Sequence, residues 1–261
     1  MIEQPTLFVS HGAPNLILRN DDNCRFFRDL GRSLVRPAAI VCVSAHWDTD
    51  EPLTSGVDLP PTIHDFSGFE AELYTMRYPC PGQPLLAARI ADSLSAAGIA
   101  CFVSEHRGID HGAWVPLKLM FPSADVPVVQ VSIQTDRDTR HHYGLGRALA
   151  PLRQENVLII GSGGATHNLR EFGRYAVDAP PVAYAAAFDA WLAERIVQNA
   201  VDELLDYRKL GPEARRNHPS EDHILPLFAP LGAAAGKNGG SRIHHRIEYG
   251  ILSMAAFAWG L

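Results

Sequence analysis

The chain has 261 residues, 46% apolar and 20% charged, which is enough to close a full core as one α/β unit and far from the polar composition of disordered chains. Its formal net charge is -6 and no run of Lys or Arg forms a stripe, which excludes a phosphate-tracking surface and makes nucleic acid an unexpected partner. Cys24, Cys42, Cys80 and Cys101 show no C-x-x-C pair or framework spacing, so free thiols in a reducing, cytoplasmic setting are expected.

The first residues, MIEQPTLFVSHG, lack the basic and apolar regions of a signal peptide. The apolar run ILSMAAFAWGL near residue 261 is well short of the roughly 20 residues a spanning helix needs, so no membrane partner is expected. In chain order, buried strands are predicted at 6–10, 39–44, 99–103, 127–133 and 157–161, from short β-branched and apolar runs. Helical periodicity marks 21–34, 83–97, 112–120, 138–152, 182–199 and 221–234. Strands alternating with helices predict an α/β fold, a mostly parallel central sheet with helices on both faces. A final pair of strands is expected at 242–248 and 250–258, after a plain surface turn at 236–241. The Pro- and Gly-rich stretch 52–69 breaks the alternation and reads as an active-site loop. With no repeat and no linker, residues 1–261 read as a single catalytic domain.

The compositional oddity is twelve histidines. In open α/β sheets ligands bind beyond the carboxyl ends of the strands. His11 follows TLFVS, His46 follows IVCVSA and His167 follows VLIIGSGGAT, so three strands deliver an imidazole past the same end. Imidazole is the commonest ligand for borderline first-row metals, and strand ends supply rigid placement. Judged alone, each could equally be a loop histidine bonded to backbone. Gly12 and Pro14 give His11 a tight exit, and Trp47 stands beside His46 as a shield against water. Gly161-Ser162-Gly163-Gly164 looks like a phosphate nest but lacks the Lys and Ser/Thr of a Walker loop.

Asp110 precedes His111 at a predicted helix start, where it orients that imidazole or caps the helix. His223 is expected in the first turn of the 221–234 helix, with Ser220 as N-cap. His64 and Asp65 stand in the 52–69 loop as candidate pocket residues. His106, His141, His142, His244 and His245 have no comparable context.

Eight ordered segments spanning nearly the whole chain carry a resemblance: LFVSHGAP (7–14), VSAHW (43–47), PPTIHDFSGF (60–69), YPCPG (78–82), DHGAWVPL (110–117), PVVQVSI (127–133), GSGGATHNLRE (161–171) and HPSEDHILPLF (218–228). Together they resemble the class III extradiol ring-cleaving dioxygenases, of the DOPA-dioxygenase type within the LigB superfamily. The resemblance implies His11, His46 and His223 as metal ligands, with His167 as a catalytic acid/base that also reaches the metal and His111 as a second catalytic histidine. It implies a catechol and O2 as substrates, with His64, Asp65 and Trp47 on the substrate side. Relatives in the superfamily carry a carboxylate as third ligand, and Glu221 and Asp222 stand beside His223. Three neutral imidazoles leave the ion its full charge, which suits a catecholate dianion and also suits zinc. Dioxygen chemistry implies Fe(2+), because Zn(2+), which fits the same ligands, has no redox chemistry. A zinc-dependent hydrolase or deacylase and a non-catalytic metal-binding protein stand as alternatives.

Overall fold

A computed structural model describes residues 3–261; the first two residues of the expected domain lie outside the described residues. The centre is an eight-stranded sheet of order β4-β3-β5-β2-β6-β1-β10-β7. β1 (Thr6–Ser10), β2 (Ala39–Asp48), β5 (Val128–Ile133) and β6 (Val157–Gly163) form its parallel heart, pairing as β5-β2-β6-β1. On one side β3 (Leu53–Ser55) runs antiparallel to β5 and parallel to β4 (Phe102–Ser104). On the other, β10 (Ala256–Trp259) is antiparallel to both β1 and β7 (Ser241–His244). β8 (Ile247–Glu248) and β9 (Leu252–Ser253) form a separate small hairpin.

The period of two in the strands decides which helices cover which face. Leu7 and Val9 of β1, Ile40 and Cys42 of β2, and Leu158 and Ile160 of β6 pack in one cluster. That cluster takes in α1 (Asp22–Ser33) and α3 (His111–Met120) through Phe27, Leu30 and Trp114. The alternate residues Val41, Val43, Val129 and Ile159 pack on α2 (Pro84–Ala96) and α4 (Thr139–Leu149). Phe8 and Phe257 face α5 (Ala183–Val197) through Phe188 and Leu192. Each parallel strand is thus buried on both sides, which is why it reads as a continuous apolar run. Short helices α6 (Val201–Leu205), α7 (Tyr207–Leu210) and α8 (Ala214–Asn217) follow α5, and α9 (Phe228–Ala233) lies before β7.

Asp21, Asp110 and Asp138 cap α1, α3 and α4 by accepting from Cys24 N, Ala113 N and His141 N. Several sequence-level bounds are corrected. The strand expected at 99–103 is reduced to Phe102–Ser104 at the sheet edge. The 138–152 helix stays α-helical only to Leu149 and tightens into a 3-10 turn with Pro151. The helix expected over 221–234 is a turn, a 3-10 turn (Leu225–Leu227) and α9, because Pro226 and Pro230 lack the N–H that a continuous helix needs. His223 therefore sits in a turn, with no Ser220 N-cap. The last strands divide into four, and β3 lies inside the stretch read as loop.

Candidate metal centre

The parallel strands bring the histidines to one rim. His11 directly follows β1, His46 lies within the extended end of β2, and His167 stands four residues past Gly163 of β6. The rings of His11, His46 and His223 are 4.9–5.4 Å apart, centre to centre. One ligand nitrogen from each lies within 4.8 Å of the others. His167 stacks on His223 at 3.4 Å with the planes 10° apart, and His111 lies 3.9 Å from His46.

Hydrogen bonds behind the rings decide which nitrogen carries the proton. Pro116 lies inside α3 and has no N–H, so the carbonyl of Gly112, four residues earlier, lacks its helical donor. The Ser162 hydroxyl donates to that carbonyl. Its oxygen is then left to accept from Nδ1–H of His11, 3.0 Å away, which turns the lone pair of His11 Nε2 toward the cavity. Asp222 accepts from Nδ1–H of His223. Asp65 Oδ2 faces Nδ1 of His46 at 3.5 Å and Nδ1 of His111 at 3.0 Å, too oblique in the latter for a full hydrogen bond, while Oδ1 accepts from His111 N at 2.9 Å. A carboxylate only accepts, so both rings are favoured with Nδ1–H toward Asp65.

The Nε2 atoms of His11 and His46 consequently point lone pairs at each other across 3.0 Å. That contact is repulsive unless a cation shares it. Two nitrogens about 2.1 Å from one ion at a right angle are ~3 Å apart, so the spacing fits a first-row metal.

The electrostatics agree with neutral, metal-ready imidazoles. Burial, with the neighbouring imidazoles, holds the pKa of His11 well below the ordinary value. Burial likewise brings His46 down to about 3, and burial together with the charge of His223 brings His167 to about 2. For Asp65 burial opposes ionisation but is outweighed by the bonds and charge of His111 and His46, leaving it near 2. Burial also opposes ionisation of Asp222, and the bond from His223 holds it well below the usual carboxylate range.

Close packing explains the glycines. A Cβ on Gly161 would lie 2.0 Å from Pro226 O, and one on Gly163 would lie 2.0 Å from His223 O. The run read as a phosphate-like nest is where the His223 segment presses onto β6, and Gly164 N donates to His223 O at 2.8 Å.

A cavity of about 330 Å³ opens onto His11, His46, His111, His167 and His223, and its lining includes Phe66, Phe69, Leu169, Phe172, Leu252 and Met254. The three residues expected on the substrate side, Trp47, His64 and Asp65, are not among its lining. Trp47 is buried, with the guanidinium of Arg107 5.0 Å over its ring, because the residue after His46 on a strand points to the opposite face. The ring of His64 bonds Met76 O at 3.0 Å. Asp65 works behind the histidines, and Asp110 caps α3 and binds Ser44, Arg107 and Gln130 rather than orienting His111. Sequence reading missed Ser162, whose one signal is a hydroxyl at the carboxyl end of a buried strand, and the lining residues Leu169, Phe172 and Tyr249.

Residues 6–258 match the family described as the catalytic LigB subunit of aromatic ring-opening dioxygenase. The chain is 41% identical to the 4,5-DOPA dioxygenase extradiol of Beta vulgaris, over 97% of this chain and 95% of the relative. It is 38% identical to the protein of the same name from Escherichia coli K12, over 98% and 94%. In three dimensions an uncharacterised protein of Escherichia coli K12 is similar with a TM-score of 0.82 at 34% identity, covering 98% of this chain and 100% of that one. Together with the clustered imidazoles, these likenesses show that the chain belongs to the LigB family of aromatic ring-opening dioxygenases, as an extradiol enzyme of the DOPA-dioxygenase type.

Proposed function

We propose that His11, His46 and His223 hold one iron(II) ion through their Nε2 atoms, and that the site opens the ring of a DOPA-like catechol beside its two hydroxyls, taking up O2. What supports this reading is the set of Nδ1 partners, Ser162, Asp65 and Asp222, which favour a lone pair on each Nε2, together with one ligand nitrogen from each ring within 4.8 Å of the others. Iron(II) supplies the electron path between ring and dioxygen; zinc fits the same donors but has no redox chemistry.

The chain's own groups supply the remainder. His167 is held neutral by burial and lies beside His223 on the cavity wall, so it takes a proton from a catechol hydroxyl. The negative charge arriving with a deprotonated catechol raises its proton affinity and lets it return that proton as the ring opens. His111 faces the cavity with its backbone N–H and Nδ1 side held by Asp65. Its Nε2 side is left to steady negative charge developing on oxygen. The apolar residues of the lining offer water few partners beside the histidines.

The test is metal analysis of anaerobically purified protein, coupled to oxygen uptake with a catechol panel. One O2 consumed per ring opened is expected, with no turnover under nitrogen; turnover without air would overturn the reading in favour of a hydrolase. His167→Ala should keep its metal and lose about two to four decades of kcat.

A further inference from the structure

We propose that Tyr207 and Arg208 of α7 are positioning residues, which brace segment 217–223 through Glu221 and His218 and thereby hold the metal ligand His223 in register with the acid/base His167. The inference rests on the dioxygenase reading for the roles of the two histidines and names the groups that keep them in place.

Glu221 stands two residues before His223, yet its carboxylate is committed to α7 and is not part of the cavity lining. The Tyr207 hydroxyl donates to Oε2 at 2.6 Å, and Arg208 Nε lies 3.2 Å from Oε1. The same guanidinium donates through Nη1 to the carbonyl of His218 at 2.6 Å. One planar fork therefore grips the segment at two points three residues apart, a geometry that a lysine ammonium does not reproduce. Tyr207 is 1% exposed and its ring packs 6.0 Å from that of Phe228 and 6.1 Å from that of His218, so its hydroxyl is presented from a fixed base.

The gripped segment in turn holds the other histidine. His167 N donates to Asn217 O at 3.0 Å, the His218 ring donates through Nε2–H to Ala165 O at 3.0 Å, and Gly164 N donates to His223 O at 2.8 Å. Residues 164–167 and 217–223 are thus laced together, and the lacing sets the 3.4 Å stack of His167 on His223. The turn that presents His223 is closed by Glu221 O, which accepts from Ile224 N and Leu225 N at 3.1 Å each. β6 stops the segment on one side, where Gly161 and Gly163 leave no room for a Cβ, and α7 bonds it on another.

Stability alone is a poor reason for the brace. The side chains of Arg208 and Glu221 are 26% and 35% exposed, and ion pairs within reach of water contribute little to folding. What the brace supplies is placement, and a displacement of about 1 Å at a reacting group costs on the order of a hundredfold in rate.

The experiment compares Arg208→Met, Arg208→Lys and Tyr207→Phe with the unaltered chain, by zinc affinity in competition with a chelator and by oxygen uptake on a catechol counted per bound iron. Arg208→Met should raise the zinc dissociation constant about tenfold. It should also lower kcat per bound iron by about ten- to a hundredfold with KM within about twofold, since a displaced acid/base is missed chiefly in the transition state. Arg208→Lys, which restores the charge and at most one of the two bonds, should recover part of both losses. Tyr207→Phe keeps the ring packing and so the fold, and should move both quantities the same way by about threefold. A lower melting temperature with zinc affinity and kcat per bound iron unaltered in Arg208→Met and Tyr207→Phe overturns the inference and leaves the dioxygenase reading intact. Absence of oxygen uptake by the unaltered enzyme with every catechol overturns that reading, and zinc affinity then decides the brace by itself.

Discussion

A carboxylate can only accept, and Asp65 applies that constraint to two imidazoles at once, 3.5 Å from Nδ1 of His46 and 3.0 Å from Nδ1 of His111. Asp65→Asn is nearly isosteric and keeps an oxygen for His111 N. Its amide nitrogen, however, donates where the rings need an acceptor. The His46 proton is then driven to Nε2, the atom that faces Nε2 of His11 and would hold the proposed ion. Metal affinity should fall about 10- to 100-fold, read by competition against a chelator, while the melting temperature of the metal-free protein changes little. Unaltered affinity would show that Asp65 does not set the tautomer. His142, remote from the centre, is governed by the same logic: Nδ1–H donates to Asp138 O and Nε2 accepts from Gln134 N–H, so only a neutral ring satisfies both.

At the scale of elements, Pro116 inside α3 looks like a flaw and acts as a device. By leaving Gly112 O without a helical donor, it directs the Ser162 hydroxyl there and frees the Ser162 oxygen for His11. Pro116→Ala should restore the helical bond and stabilise α3, since proline costs about 3 kcal/mol in a helix interior. It should also weaken metal binding, because Ser162 loses its fixed orientation. A rise in melting temperature of the chelated protein with a drop in metal affinity is the expected pair of results; a rise in both would refute the link. The parallel strands, α1 to α5 and the histidines at strand ends were legible because apolar runs and caps are local signals. The His223 segment was misread as one helix because its apolar spacing is helical while Pro226 and Pro230 remove the donors. Trp47 was placed at the substrate by adjacency in sequence, although alternation on β2 sends it to the other face. Neither Asp65 behind two rings nor the Pro116-to-His11 relay has a local signature, because each exists only once distant segments meet.

For the molecule as a whole, metal and protons compete for the same folded state. Folding buries neutral imidazoles: His46 and His218 fall to about 3 and His142 to about 4, each chiefly through burial, and His11 and His167 are likewise depressed. The unfolded chain takes up protons on these groups below about pH 6.5, while the folded chain takes them up only near the lowered values. Stability of the chelated protein should therefore be flat above pH 6.5 and fall as pH drops toward 4, by up to about 1.4 kcal/mol per pH unit for each such histidine. Metal bound only to the folded state adds about 2.7 kcal/mol at a hundredfold excess over Kd, or roughly 5–10 °C in melting temperature for a chain of this size. Because the metal needs the same deprotonated nitrogens, that increment should itself shrink below pH 6.5. Urea unfolding at pH 7.5 and 5, with and without chelator, reads both effects. A metal increment that stayed constant down to pH 5 would mean that the ion is not held by these imidazoles.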